Sequence, residues 1–381
     1  MRFLLIRFLA CLQMIWLPVV LEACCCGSDA VATRTPSTQP RMLQPYPPQP
    51  GYGTPPVTHP QPTYRHFEGP ITGIVVESLE CLEQAGSKYT RENVVKIFDQ
   101  YQTPEGMLPR LLELCHYCLN FIIDDSGSMN CSSEWLDASS IQRSSSRWQE
   151  VQYRLEIFFH HLACVPVKHM QISFLNRPDT IIFNPEQFQN VRDFIAFAKQ
   201  QLILVFNHHP NGFTPTYNKL QSAFQLTGRW YHYFFTDGAP TDAYNHETEE
   251  EQQRVINLVK KRLNPENHLL TVLTCSDGRP RWLMKLDKTA AFVSVIDDYA
   301  AEKQEVEEAQ GKKFPFSFGL WVACNLLSAK DKVLDDLDEK KVQPFAESEY
   351  QSITGRINSD EYKAYTAVRP QHQVPVVPNP L

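Results

Sequence analysis

Several things are missing from this 381-residue chain, and each absence removes a class of function. There is no excess of positive charge: 36 Lys and Arg stand against 43 Asp and Glu, a net charge of −7. Neutralising phosphates needs clustered Lys and Arg, so an electrostatic nucleic-acid binder is not expected. No G-x-x-x-x-G-K-[ST] string occurs, which argues against an ATPase motor, and nucleophile-elbow and H-E-x-x-H strings are absent too. There is no internal repeat and no long coiled coil. Cys115-His116-Tyr117-Cys118 has no second C-x-x-C downstream, so zinc would lack half its ligands, and the pair reads as a helical coincidence.

Proline and cysteine are abundant, but unevenly placed. Ten of the 28 prolines lie between Pro36 and Pro62, where Arg41 is the only charged residue. Such a segment cannot bury enough apolar area to offset its ordering entropy, and proline biases it to extended polyproline II. Residues 24–65 therefore read as a tether, with recognition by SH3 or WW domains as the alternative. Four more prolines fall between Pro370 and Pro380. Cys24, Cys25 and Cys26 are consecutive, while Cys81, Cys115, Cys118, Cys131, Cys164, Cys275 and Cys324 are scattered singly. An odd, scattered set predicts reduced thiols used as small core residues, not a disulfide framework.

Residues 1–23 resemble a bacterial lipoprotein signal: two positive charges, an apolar stretch Phe8–Leu21, and Leu21-Glu22-Ala23 before a modifiable Cys24. A retained apolar anchor palmitoylated on Cys24–Cys26, a cleaved signal peptide without lipid, and a wrongly assigned start codon are the other readings. The stretch is short for a spanning helix. The expected localisation is membrane-associated through this end, or secreted.

From His66 onward the composition is globular. Residues 66–117 read as a helical prelude, with helices over 90–102 and 107–116. Strands and helices then alternate over 118–330. Leu119–Asp124 is an apolar run ending in carboxylates, as a buried parallel strand would. Further strands are expected over 169–175, 180–183, 230–236, 269–274 and 291–296. Helices are expected over 147–163, 185–204, 217–226, 247–263, 299–310 and 316–329. This alternation predicts an α/β fold, doubly wound, with a mostly parallel central sheet and helices on both faces. Residues 331–381 read as a largely disordered tail.

Functional residues of an open α/β sheet gather at the carboxyl ends of its strands. Three such ends are unusual: Asp124-Asp125-Ser126-Gly127-Ser128, Gly212-Phe213-Thr214-Pro215-Thr216, and Thr236-Asp237-Gly238. Hard divalent cations take oxygen ligands, and Mg²⁺ wants about six near 2.1 Å. Two carboxylates with neutral hydroxyls would leave such an ion with open positions, which an incoming carboxylate can fill. Asp125 is expected to point off the metal, and His208-His209 to be solvated. Asn130-Cys131-Ser132 is a formal glycosylation sequon.

These three strings, in this order, resemble the metal-ion-dependent adhesion site of von Willebrand factor A domains. The resemblance covers about 118–300. It implies that Ser126, Ser128 and Thr214 bind Mg²⁺ or Mn²⁺ through their hydroxyls, with Asp124 and Asp237 acting directly or through water. It also implies a protein-binding module rather than an enzyme, with a partner Glu or Asp completing the ion's shell. A long Ser-rich insertion, Asn130–Ser146, sets this chain apart and flanks the site. The alternative from another class is a haloacid-dehalogenase-like phosphatase using Asp124, Thr236, Lys285 and Asp297-Asp298. It is weakened by Ser126, which stands where that family places a general acid.

Overall fold

A computed structural model describes residues 70–368 apart from 243, 276–279 and 341–342, all within the unit Gln61–Leu381. The expected signal or anchor, the tether, Cys24 and residues 369–381 lie outside the described residues.

Three helices come first: α1 (Gly73–Ala85), α2 (Arg91–Tyr101) and α3 (Met107–Leu112). Strand β1 (Cys118–Ile123) is followed by a hairpin, β2 (Ser132–Leu136) and β3 (Gln142–Ser146), and by α4 (Arg147–Leu162). Next come β4 (Met170–Phe174), β5 (Thr180–Phe183), α5 (Val191–Phe206), α6 (Thr216–Ala223) and β6 (Trp230–Thr236). Then follow α7 (Glu249–Lys260), β7 (His268–Thr274), α8 (Arg281–Thr289), β8 (Val293–Ile296), α9 (Tyr299–Gln310) and α10 (Phe318–Leu327). Three short helices end the described chain: α11 (Lys332–Asp335), α12 (Glu347–Thr354) and α13 (Ser359–Val368).

Six strands form one sheet in the order β5-β4-β1-β6-β7-β8. All neighbours are parallel except β4 and the edge strand β5. The pleat sorts side chains by parity. Leu119, Phe121 and Ile123 of β1 join Tyr231, Tyr233 and Phe235 of β6 in a core shared with α1–α5 and α10. Ile122 and Phe234 point the other way, into a second core with α6, α7 and α8. On that second face Asn120, His232 and His268 form a buried polar row, with 3.3 Å between Asn120 and His232 and between His232 and His268. Burial holds His232 down at about 3, so the row is neutral.

The Ser-rich insertion is an antiparallel hairpin with Ser132 opposite Ser146. It is fastened to α4 by a Ser133–Glu150 hydrogen bond of 2.7 Å and by Trp135 against Tyr153, ring centres 4.5 Å apart. Three of the scattered thiols, Cys164, Cys275 and Cys324, are buried core residues, whereas Cys81 and Cys131 are exposed.

The expectation of a largely disordered tail over 331–381 is corrected as far as Val368. Tyr350, Ile353 and Tyr365 are buried in the first core, and Tyr350 stacks on Tyr365 at 5.1 Å. Arg356 pairs with Glu105, just before α3, at 2.7 Å. Gly355 ends α12 at φ +77°, and a Cβ there would come within 2.2 Å of the Gly106 nitrogen. The two backbones touch because both residues are glycine. Gly355→Ala is therefore expected to cost at least about 2 kcal/mol, from the left-handed conformation plus the clash. Urea unfolding of the two chains would measure it, and an unchanged midpoint would show that this contact is not formed.

Candidate metal centre

The sheet order reverses around β1: the chain goes from β1 to β4 on one side, then returns to β6 on the other. The carboxyl ends of β1 and β6 thus flank a switch point, where an open α/β sheet leaves a crevice. Ile123 pairs with Phe235 in parallel register. The next residues, Asp124 and Thr236, consequently emerge side by side, and the Thr236 hydroxyl donates to Asp124 Oδ2 at 2.8 Å.

From there a chain of contacts runs outward. The other oxygen of Asp124 accepts from the Ser126 backbone N–H at 3.0 Å. The Ser126 and Ser128 hydroxyls lie 3.0 Å apart, and Ser128 donates to Asp237 Oδ1 at 2.9 Å. Asp124 is fully buried and Ser128 is exposed, so the cluster opens to solvent at the serine end. Four of the five expected ligands are brought together in this way.

Thr214 joins through its backbone. Its N–H donates to the Thr241 hydroxyl at 2.9 Å, and its carbonyl accepts from the Thr241 N–H at 3.0 Å. Its loop is tied to the first segment by Gly127 N–H to the Gly212 carbonyl, 3.2 Å, and Asn211 N–H to the Asp125 carbonyl, 2.8 Å. Gly212, at φ +116°, permits that approach, since a Cβ would meet the Asn176 amide at 2.8 Å. The three segments are therefore stitched pairwise, although the Thr214 hydroxyl lies outside the hydrogen-bonded chain.

Asp125 turns away from the cluster. Its carboxylate accepts from Asn176 N–H and Nδ2 at 2.8 and 3.0 Å and faces Arg177, which fastens the end of β4 to the loop. Asn130 donates to the carbonyls of Gly127 and Pro210, bracing the same loops, and His208 and His209 are exposed. Lys285, assigned a role in the phosphatase alternative, donates to Gln253 between α8 and α7, and Asp297 accepts from Thr274 at 2.5 Å.

Two further residues contribute that linear spacing did not single out. Thr241 fixes Thr214. Arg147, the first residue of α4, ion-pairs with Asp237 Oδ2 at 2.6 Å. The pair spans 90 positions, and no local pattern announces it.

Electrostatically the two carboxylates differ. Burial pushes Asp124 up to about 7; hydrogen bonding from Ser126 opposes this, and the Asp237 charge adds to it. Asp237 has a guanidinium against it, whereas Asp124 is met by an N–H and a hydroxyl. The clustered donors are all oxygens, with no imidazole or thiol in the chain of contacts. That is the donor chemistry of Mg²⁺ or Mn²⁺, and a cation here would relieve the desolvated Asp124 charge, so the residues fit such an ion. Elsewhere, carboxylate oxygens of Glu302, Glu305 and Asp338 lie within 4.8 Å of one another. Glu302 there accepts from the Asp297 N–H at 2.7 Å, a bond that shapes the start of α9.

No protein-family model and no curated protein matches the chain. Among solved structures it is similar to the PilB minor pilin from Streptococcus sanguinis, with a TM-score of 0.36 and 12% identity. That match covers 58% of this chain and 62% of the pilin chain.

Proposed function

We propose that this chain is a von Willebrand factor A-like binding module, doubly wound and Rossmann-like, that captures a carboxylate of a protein partner in the presence of a divalent cation. The observation that carries the reading is the linked run Thr236–Asp124–Ser126–Ser128–Asp237 at the switch point of a parallel sheet. Asp124, Ser126, Ser128, Thr214 and Asp237 would hold Mg²⁺ or Mn²⁺. When bound, the ion would act as a Lewis acid with positions left for a partner Glu or Asp. The chain's own residues do the rest. Asp125 and Asn130 hold the loops in place, and the exposed Ser128 end sets the direction of approach.

The proposed location is a membrane surface reached through the N-terminal segment, by lipid on Cys24 or by the apolar run, or outside the cell after secretion. Among the described residues no helix is long and apolar enough to cross a membrane. Mass spectrometry of the mature N-terminus separates acylated Cys24, a cleaved chain and an intact Met1.

Calorimetric titration of Mg²⁺ into EDTA-dialysed protein tests the site. The intact chain is expected to bind, and Thr214→Ala to bind about tenfold more weakly, the loss of one hydroxyl ligand being worth roughly 1.4 kcal/mol. No heat of binding and no difference in melting between Mg²⁺ and EDTA would overturn the reading. Hydrolysis of a generic phosphate ester, lost in Asp124→Asn, would favour the phosphatase alternative.

A further inference from the structure

The placement of Arg147 is unfavourable in isolation. It is the first residue of α4, capped by Ser146, and the N-terminal end of a helix carries partial positive charge that favours acids over bases. What offsets this is Asp237, whose side chain is only 1% exposed while that of Arg147 is 22% exposed. The guanidinium is only partly used. Nη1 meets Asp237, but Nε is buried with no hydrogen-bond partner. Arg154, one helical step of seven further on, shares the unpartnered Nε but uses both terminal nitrogens, on Glu150, Thr274 and Asn325. Arg147 is thus fixed at its backbone, where its N–H donates to the Cys131 carbonyl at the base of the hairpin, and held more sparsely at its tip.

We infer that Arg147 is a resident cation of this site that competes with the divalent ion for Asp237. The inference rests on the metal-binding reading above and adds regulation to it. With Asp124 ionised, Asp124 and Asp237 bring two negative charges and Arg147 returns one, so the three together are then singly negative. A divalent ion drawn to Asp237 meets a guanidinium already 2.6 Å from one of its oxygens. Either the guanidinium swings toward solvent, where part of it already lies, or the ion binds against like charge. In both cases Arg147 lowers divalent affinity. Because the residue follows β3 directly and its N–H is bonded across the base of the hairpin, whatever moves the β2–β3 hairpin also moves the competitor.

The test is calorimetric titration of MgCl₂ and MnCl₂ into the EDTA-dialysed full chain, compared with Arg147→Gln and Arg147→Lys, with melting curves in EDTA and in Mg²⁺. Arg147→Gln is expected to bind the ions at least about tenfold more tightly, the scale of coupling between close charge pairs. It should melt lower than wild type in EDTA, where Asp237 is left unpaired, and recover more than wild type on adding Mg²⁺. Arg147→Lys, which keeps the charge without the fork, is expected in between, and carries the comparison if Arg147→Gln does not fold in EDTA. Equal affinities in all three chains, or weaker binding in Arg147→Gln, would overturn the competition while leaving the metal site standing. Folded variants and wild type that all fail to bind either ion would sink the metal-binding reading itself, and the inference with it.

Discussion

Arg154→Ala is expected to lower the free energy of unfolding by about 3–5 kcal/mol, the cost of removing one partner from a buried ion pair. Arg154 is 2% exposed. Its Nη1 faces Glu150 Oε1 one turn earlier in α4 at 3.4 Å and donates to the Thr274 carbonyl at 2.7 Å, while Nη2 donates to Asn325 Oδ1 at 2.8 Å. The guanidinium also lies over the rings of Trp321 and Phe235, at 5.1 and 5.5 Å from their centres. One side chain therefore joins α4, the end of β7 and α10, and the next residue after Thr274, Cys275, donates its N–H to the Thr236 carbonyl at 3.0 Å, just before Asp237. Alanine would leave a cavity, an unpaired Thr274 carbonyl and a buried Glu150 whose charge is already disfavoured by desolvation. The companion chain Arg154→Met with Glu150→Gln removes both charges and should recover a large part of the loss. Urea unfolding measures both. A loss under about 1 kcal/mol for Arg154→Ala would mean that Glu150 does not depend on Arg154.

How much of this was legible in the sequence depended on how local the signal was. The strand Trp230–Thr236 and the helix Tyr299–Gln310 are found with the bounds read from pattern alone, because one is a run of aromatic residues and the other an unbroken charged stretch without glycine or proline. Thr90, where the helix expected over 90–102 begins, caps α2, its hydroxyl accepting from the Asn93 N–H at 3.3 Å. The expected helix over 185–204 is a short 3₁₀ turn followed by α5, because the Asn190 side chain accepts from the Asp193 N–H and restarts the helix there. The hairpin β2–β3 was invisible to periodicity. Gln142–Ser146 carries no apolar alternation, and its ladder is held by backbone pairing and by Trp135 on α4. The tail helices were missed for a related reason. Lys332–Asp335 and Glu347–Thr354 are four and eight residues long, too short to stand out from the loops around them, and the second is held by a distant partner, Phe314 against Tyr350.

The candidate site divides along the same line. The spacing of Asp124, Ser126 and Ser128 is a local pattern and could be read, and the resemblance to von Willebrand factor A domains implied that Asp237 would lie with it. Arg147 and Thr241 act through pairings whose partners lie 90 and 27 positions away, and only the folded chain joins them. Their effect is not incidental. Thr241 sets where Thr214 stands, and Arg147 sets the charge that any incoming cation meets.

That charge balance leads to the second large effect. In EDTA at pH 8, Asp124→Asn is expected to be more stable than wild type by up to roughly 4 kcal/mol, the equivalent of moving a carboxyl from its ordinary 3.8 to about 7. The sign follows from proton counting. Here an acid is raised in the folded state, so between about 3.8 and 7 the unfolded chain releases the proton while the folded chain keeps it. The unfolded state then binds fewer protons, and wild-type stability falls as pH rises through that window. Below it both states are protonated and the asparagine advantage should vanish; above it the advantage is constant. Asparagine can keep the local contacts. Its carbonyl can accept from the Ser126 N–H, and its amide can donate to Thr236, whose hydroxyl both donates and accepts. With Mg²⁺ present the ranking should change. Wild type gains stability with ligand concentration, and the variant, lacking the buried charge that draws the ion, gains none. Thermal melts of both chains from about pH 3 to 8, with and without Mg²⁺, read all of this. A variant no more stable than wild type in EDTA at pH 8 would show that the Asp124 charge carries no desolvation cost. A variant that still gains stability from Mg²⁺ as wild type does would place the ion elsewhere.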